Sequence, residues 1–410
     1  MRRVVITGMG GVTPLGHDVE TSFQNIIEGK CGIGPITHFD TSEFKVSLAA
    51  QVKEFDMDVY LSSRERKFND RFTQFARIAA KQAMQQANFD LEAINHKRLG
   101  VIIGSGIGGI ESIEKSKESL TERGPTRISP YFIPMALINL AAGTVAIDHQ
   151  AKGVCSSVVT ACAAGSSAIG EAFHKIKFNQ QDIMIAGGSE ASITPLAIGG
   201  FMVMRALYEG DNPNRASIPF DLNRSGFVMG EGAGIIVLEE LEHAQSRNAK
   251  ILGEIIGYGS SCDAHHITAP NPDGEGASLA MLLALEDAGL DPDSVDYINA
   301  HGTSTPLNDK TETKAIKQTF KEHAAKLSVS STKSHLGHLL GASGAVEAII
   351  CLKALQMGVI PATINHLEHD PECDLDVVAN HTRKQNIKIA MSNSLGFGGH
   401  NASLIFRKWD

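Results

Sequence analysis

Residues 158–178 read VVTACAAGSSAIGEAFHKIKF, a β-branched stretch that gives way at Cys162 to a Gly/Ala/Ser-rich segment. β-Branched residues favour strand, and small residues let a helix bury itself against neighbouring backbone. The stretch therefore predicts a strand end opening into a buried helix over Ala163–Phe178. A cysteine at that junction has its sulfur beside a helix N-terminus, where unpaired N–H groups and the positive end of the dipole favour thiolate over thiol. The alternative is a small buried hydrophobe, the usual role of a free cysteine. A second segment matches the first: Gly341-Ala-Ser-Gly-Ala-Val-Glu-Ala348 lies over Gly165-Ser-Ser-Ala-Ile-Gly-Glu-Ala172, with Lys353 matching Lys177 further on. Each copy follows a strand-like run and opens a helix, which predicts two related halves, residues 1–250 and 251–410.

Around these helices the chain alternates strand and helix signals, an α/β pattern. Strands are predicted at Arg3–Thr7, Leu99–Gly104, Ile183–Gly187, Ala233–Glu239, Ile251–Gly259, Tyr297–Ala300, Leu327–Ser331 and Ser403–Phe406, and a long helix at Phe72–Asn88. Gly8-Met9-Gly10-Gly11 reads as a glycine-rich turn after the first strand. It lacks the G-x-G-x-x-G spacing and meets Pro14 where a phosphate-binding helix should run, so no dinucleotide cofactor is expected.

The 410 residues are 42% apolar and 20% charged, the composition of a globular protein. A net charge of −9 disfavours general nucleic-acid binding, which needs excess Lys and Arg. Six cysteines without CxxC pairs predict reduced thiols in a cytoplasmic protein. Neither a signal peptide nor a run of eighteen apolar residues is read from the sequence, so no membrane association is expected.

Three further segments concentrate polar groups. NAHGTST (299–305) places His301 among hydroxyls, STKSHLGH (331–338) places Lys333 and His338 before the second small-residue helix, and NSLGFGGHN (393–401) reads as a glycine-rich loop presenting N–H groups. Together they supply a nucleophile, two imidazoles, a lysine, carboxylates and an oxyanion-stabilising loop. Sixteen histidines make any single one an ordinary residue by default; His265, His266 and His335 keep that reading. No HExxH or Cys/His ligand spacing is present, so no metal is expected. The absence of G-x-S-x-G disfavours a serine hydrolase.

The segments TACAAG (160–165), PFDLNRSGFVMGEGAG (219–234), NAHGTSTPLND (299–309), STKSHLGHLLGASGAVEAI (331–349) and SNSLGFGGHN (392–401), in this order, resemble the β-ketoacyl-[acyl-carrier-protein] synthases of thiolase fold. The resemblance runs from Arg3 to Trp409 and is closest to the condensing enzymes of bacterial type II fatty acid synthesis. It implies a five-layer αβαβα architecture, a homodimer, and an acyl carrier protein as partner. It implies that Cys162 takes the acyl chain as a thioester while His301 and His338 hold the malonyl group as it loses carbon dioxide. Lys333, Asp309 and Glu347 would form the charge network positioning the two imidazoles, with Thr303 and Thr305 beside them. The N–H groups of Cys162 and Phe397 would form the oxyanion hole, Phe397 would gate the acyl tunnel, and Ile107, Phe201 and Thr268 would line that tunnel and its mouth. Arg64, Arg66, Lys67, Arg71, Arg127 and Arg205 would meet the acidic carrier.

The chain departs from the family pattern at Gly165-Ser166-Ser167, at Ser225 and at Leu395, and His335 and His400 are uncommon at their positions. These changes bear on chain-length preference and on the gate. Two other readings stay open: a ketosynthase of polyketide assembly, and a non-catalytic partner subunit that sets chain length, which the intact Cys162 disfavours.

Overall fold

In the computed structural model, which describes Met1–Asp410, the strands are β1 (Val4–Val12), β2 (Leu99–Gly104), β3 (Cys155–Ser156), β4 (Ile183–Glu190), β5 (Gly232–Glu240), β6 (Gly253–Cys262), β7 (Tyr297–Asn299), β8 (Ser328–Ser330), β9 (Asp376–Val377), β10 (Ile389–Gly396) and β11 (His400–Arg407). Six helices frame them: α1 (Arg71–Ala87), α2 (Asn139–Asp148), α3 (Ala164–Lys177), α4 (Glu275–Ala288), α5 (Pro306–Phe320) and α6 (Ser343–Met357).

The strand order is β9-β8-β7-β10-β11-β6-β1-β5-β4-β2-β3. The first five strands lie in the order first, fifth, fourth, second, third. The set β6, β7, β8, β10, β11 repeats that order, with the same alternation of antiparallel and parallel neighbours. The two sets are joined where Val4–Ile6 pairs with Gly253–Ile255.

Pleating decides what each face meets, because successive side chains point to opposite sides. In β5, Ile236 and Leu238 join the central core with Ile169, Phe173, Ile349 and Leu352 of α3 and α6, whereas Ile235 and Val237 join an outer core with Phe72, Phe75 and Ile78 of α1. On the opposite side Met281 and Leu285 of α4 and Ile316 and Phe320 of α5 pack on Ile298, Val329 and Met391. Three apolar cores, the central one reaching both sets of strands, thus hold together α1/α2, the first set of strands, α3/α6, the second set, and α4/α5: the thiolase-like αβαβα order. The stretch Leu340–Met357 is long and apolar enough to cross a membrane by length and composition, yet it is 89% buried here in the central layer.

Two glycine-rich segments are not the turns and loops they resemble. β1 continues straight through Gly8–Gly11 and pairs with β5. A Cβ on Gly8 or Gly10 would lie 2.0 or 1.9 Å from the carbonyl oxygens of Ala83 and Ala79, so these glycines let α1 press onto the strand rather than turn the chain. The segment predicted as a loop over 393–401 is mostly the β10–β11 hairpin, turned at Phe397–Gly399 with φ of 85° and 75° at Gly398 and Gly399.

Gly10→Ala is expected to lower stability by about 3 kcal/mol, since only backbone shift could relieve the clash. A urea-denaturation midpoint lowered at constant m-value would report it.

Candidate active site

Cys162 sits in a 3₁₀ turn, Ala161–Ala163, that leads directly into α3. The strand expected to run up to Ala161 ends earlier, at Ser156, and Ala161, immediately before the cysteine, is held at φ 48°, a strained value for a residue with a Cβ. His301 follows β7, and His338 follows the short helix Lys333–Leu336 that begins three residues after the end of β8. Cys162, His301, His338, Thr303, Thr305 and Phe397 line one cavity of about 430 Å³, whose outer part includes the exposed residues Met204, Arg205 and Leu307. The cavity links the buried thiol to the surface.

The imidazoles stand edge to face, with centroids 5.2 Å apart. Burial, with Lys333 adding to it, holds both well below the usual histidine range, so both rings are neutral. Their tautomers follow from their partners. Nδ1 of His338 lies 3.2 Å from the N–H of Leu340, which can only donate, and 2.8 Å from Ser343 Oγ. Nδ1 of His301 faces Lys333 Nζ, also a donor, at 3.4 Å. Each Nδ1 therefore accepts, and each ring carries its proton on Nε2. Neither Nε2 has a partner within the protein, which leaves two N–H donors for a ligand.

Lys333 Nζ donates to Glu347 Oε1 at 2.5 Å, with both side chains nearly inaccessible to solvent. Burial raises the carboxyl of Glu347 and Lys333 opposes that shift. Asp309 does not join this pair. Its Oδ2 accepts from Phe220 N at 2.9 Å and lies 3.6 Å from Arg224 Nε. The carboxylate thus ties segment 220–224 to the start of α5 and does not approach the imidazoles, in correction of its place in the expected network. Thr303 and Thr305 share a hydrogen bond of 2.9 Å at the cavity wall.

The helix-terminus argument predicted a resting thiolate at Cys162, and the structure overturns it. Burial pushes the thiol up to about 11, outweighing the stabilisation from Lys333 and from the N–H groups of Phe397 and Cys162 that approach the sulfur. At neutral pH the nucleophile is a thiol.

Comparison with known proteins now bears on the site. Residues 1–244 match the β-ketoacyl synthase N-terminal domain and residues 252–367 the C-terminal domain. The chain belongs to the β-ketoacyl synthase family. It is 51% identical over 409 residues to a 3-oxoacyl-[acyl-carrier-protein] synthase 2 of Synechocystis sp., covering 100% of this chain and 98% of that protein. It is equally similar to the protein of that name from Staphylococcus aureus strain COL, with coverage of 100% and 99%. Among solved structures, a type II polyketide ketosynthase in complex with its acyl-carrier protein and bound to the hexaketide superposes with a TM-score of 0.93 at 37% identity, each chain covered in full.

The remaining expected positions of this β-ketoacyl synthase divide by environment. Phe201 and Thr268 line the cavity, with Phe201 6.2 Å from Phe397 between ring centroids. Ile107 lies outside it, packed on the apolar cluster that includes Cys162 and Ile198. Arg64, Lys67, Arg127 and Arg205 are exposed. Arg66 pairs with Asp58. Arg71 is not free to meet a partner: its guanidinium donates to both oxygens of buried Glu231 at 2.9 and 2.8 Å. Ser166 bonds Ser394 Oγ at 2.8 Å, Ser225 and Leu395 line the cavity, and His400 lies against the Gly398 turn. His335 is buried between the carbonyls of Lys30 and Ala362.

Sequence reading missed Glu312. Its carboxylate accepts the N–H groups of His301 and Gly302, each at 2.8 Å, and burial raises its pKa to about 7. Periodicity held the signal, since Glu312 shares the buried face of α5 with Asp309, Ala315 and Ile316.

Lys333→Met is expected to destabilise the fold by about 3–5 kcal/mol, because it strands Glu347 as an unpaired buried carboxylate. Adding Glu347→Leu should recover much of that loss in thermal denaturation.

Proposed function

We propose that the chain is a 3-oxoacyl-[acyl-carrier-protein] synthase that elongates fatty acyl chains by two carbons. The observation carrying the reading is the shared cavity, in which a thiol flanked by two backbone N–H groups faces two imidazoles poised as Nε2–H donors.

In the first half-reaction Cys162 Sγ attacks the thioester carbonyl of an acyl carrier protein. The new S–C bond forms, the carrier's thiolate leaves, and the thiol proton goes to it. The N–H groups of Cys162 and Phe397 hold the oxyanion between these events. In the second, the malonyl group on a carrier protein breaks its bond to the carboxylate and releases carbon dioxide. The electron pair passes into the thioester enolate, whose oxygen accepts from Nε2–H of His301 and His338. The enolate carbon then attacks the Cys162 thioester, a C–C bond forms, Sγ leaves, and the product departs as a 3-oxoacyl thioester on the carrier. Neutral imidazoles suit this role, since they donate without supplying a proton that would quench the carbanion.

Exposed Arg64, Lys67, Arg127 and Arg205 support docking of an acidic carrier, as does the carrier-protein complex of the structural relative. The exposed edge strand β3, with Ile147 and Val159 exposed on either side of it in sequence, supports a homodimer that covers this edge. Six free cysteines fit a cytoplasmic enzyme. The repeated strand order supports reading residues 1–250 and 251–410 as two halves, one supplying the nucleophile and the other the imidazoles. A polyketide role draws on the structural likeness at 37% identity, against 51% for the fatty acid relatives.

Incubation with acyl carrier proteins of graded chain length should leave an acyl adduct on Cys162, found by peptide mass mapping. An adduct elsewhere, or none with any chain, defeats the reading. Cys162→Ala should abolish condensation, whereas His301→Ala or His338→Ala should cut malonyl decarboxylation by about 10²-fold or more. Alkylation of Cys162 by iodoacetamide should accelerate about tenfold per pH unit from neutrality towards pH 10, because the reactive thiolate is the minor form throughout that range.

A further inference from the structure

Glu190 ends β4 completely buried, and sequence analysis assigned it nothing. Its carboxylate gathers six donors. Oε1 faces Ser105 Oγ at 3.1 Å, Ile107 N at 3.2 Å, Gly108 N at 3.4 Å and Ser192 Oγ at 3.1 Å. Oε2 accepts from Gly106 N at 2.7 Å and Gly341 N at 3.0 Å. Gly341 belongs to the second half, just before α6, so one carboxylate binds a loop of the first half to the second. The approach is close enough to dictate sequence: a Cβ on Gly106 or Gly341 would stand 2.9 or 2.8 Å from Oε2, and one on Gly341 only 2.3 Å from Gly106 N.

The two anchored segments differ in how else they are held. Gly341 enters α6, which the central core grips along its length. The loop Gly104-Ser-Gly-Ile-Gly-Gly109 is glycine-rich, and its consecutive N–H groups at 106, 107 and 108 all turn to Glu190. That loop carries Ile107, which packs on the apolar cluster containing Cys162. Burial raises the carboxyl of Glu190 and the surrounding donors draw it back.

Resting on the condensing-enzyme reading, we propose that Glu190 is a positioning residue: it fixes the Ser105–Gly108 loop against the second half and so holds Ile107 in the apolar cluster behind Cys162, Phe201 and Phe227, which form the acyl-side wall of the pocket. It touches no reacting atom. Its loss frees the wall while leaving the hydrogen bonds of His301 and His338 in place. A glutamine cannot substitute, because its NH₂ would confront at least two N–H or O–H donors whichever way it turned.

The test measures two rates on Glu190→Gln: acylation of Cys162 by short, medium and long acyl carrier proteins, and malonyl decarboxylation by the unacylated enzyme. Acylation with the preferred chain should fall about tenfold further than decarboxylation, with a raised KM and a flattened preference between chain lengths. An unchanged chain-length profile in the folded variant, or a parallel fall of both rates, overturns the proposal. If Glu190→Gln does not fold, Ser105→Ala with Ser192→Ala removes two donors from Oε1 and should flatten the profile in the same direction; no change there also overturns it. Wild-type protein serves as the control. If no carrier acylates its Cys162, it is the condensing-enzyme reading that fails.

Discussion

Backbone contact between α3 and α6 is the constraint on which the remaining architecture rests. A Cβ on Gly165 would lie 2.8 Å from Gly341 O and 2.9 Å from Ala345 N, and one on Gly344 would lie 2.1 Å from Ser166 Oγ. Two helices that close can only be built from small residues, and both carry them at matching places in the two halves. Because the segment leading into each helix bears chemistry, pressing the helices together also brings Cys162 of one half to His338 of the other. The site is therefore assembled by packing rather than by any one loop.

Burial then sets the protonation states. The same low-dielectric surroundings that push the thiol up to about 11 press both imidazoles towards neutrality, and Lys333 lies near all three groups. Lys333 opposes the first effect and reinforces the second. Its partner Glu347 keeps that cation tolerable in the core. The resting site thus contains a thiol and two neutral rings, with the Lys333–Glu347 pair beneath them.

Much of this was legible in the sequence because polar residues stood where a core would be apolar. Cys162, His301, Lys333 and His338 each lie between a strand and the helix that follows it in sequence, and their placement follows from local pattern. Asp309 was placed in the charge network by the resemblance of its motif, but its position in the first turn of α5 points it at Arg224. Arg71 misled because a basic run was read as surface, whereas the start of α1 carries it towards Glu231. Glycine is ambiguous by nature, serving tight turns and close approach alike, so Gly8–Gly11 could not be told from a turn without knowing that α1 lies above it. The direction of the Cys162 shift depends on how much protein surrounds the sulfur, a tertiary property that no motif encodes.

The placement of β1 has a consequence for how the chain is made. Its partners β5 and β6 begin 220 or more residues after its end, so this apolar strand is made long before the neighbours it pairs with. At ordinary synthesis rates the interval is roughly ten to fifty seconds. Nascent chains halted before residue 232 would hold an unpaired strand and half a helical layer, and this defines a stretch of translation in which a chaperone has the most to shield.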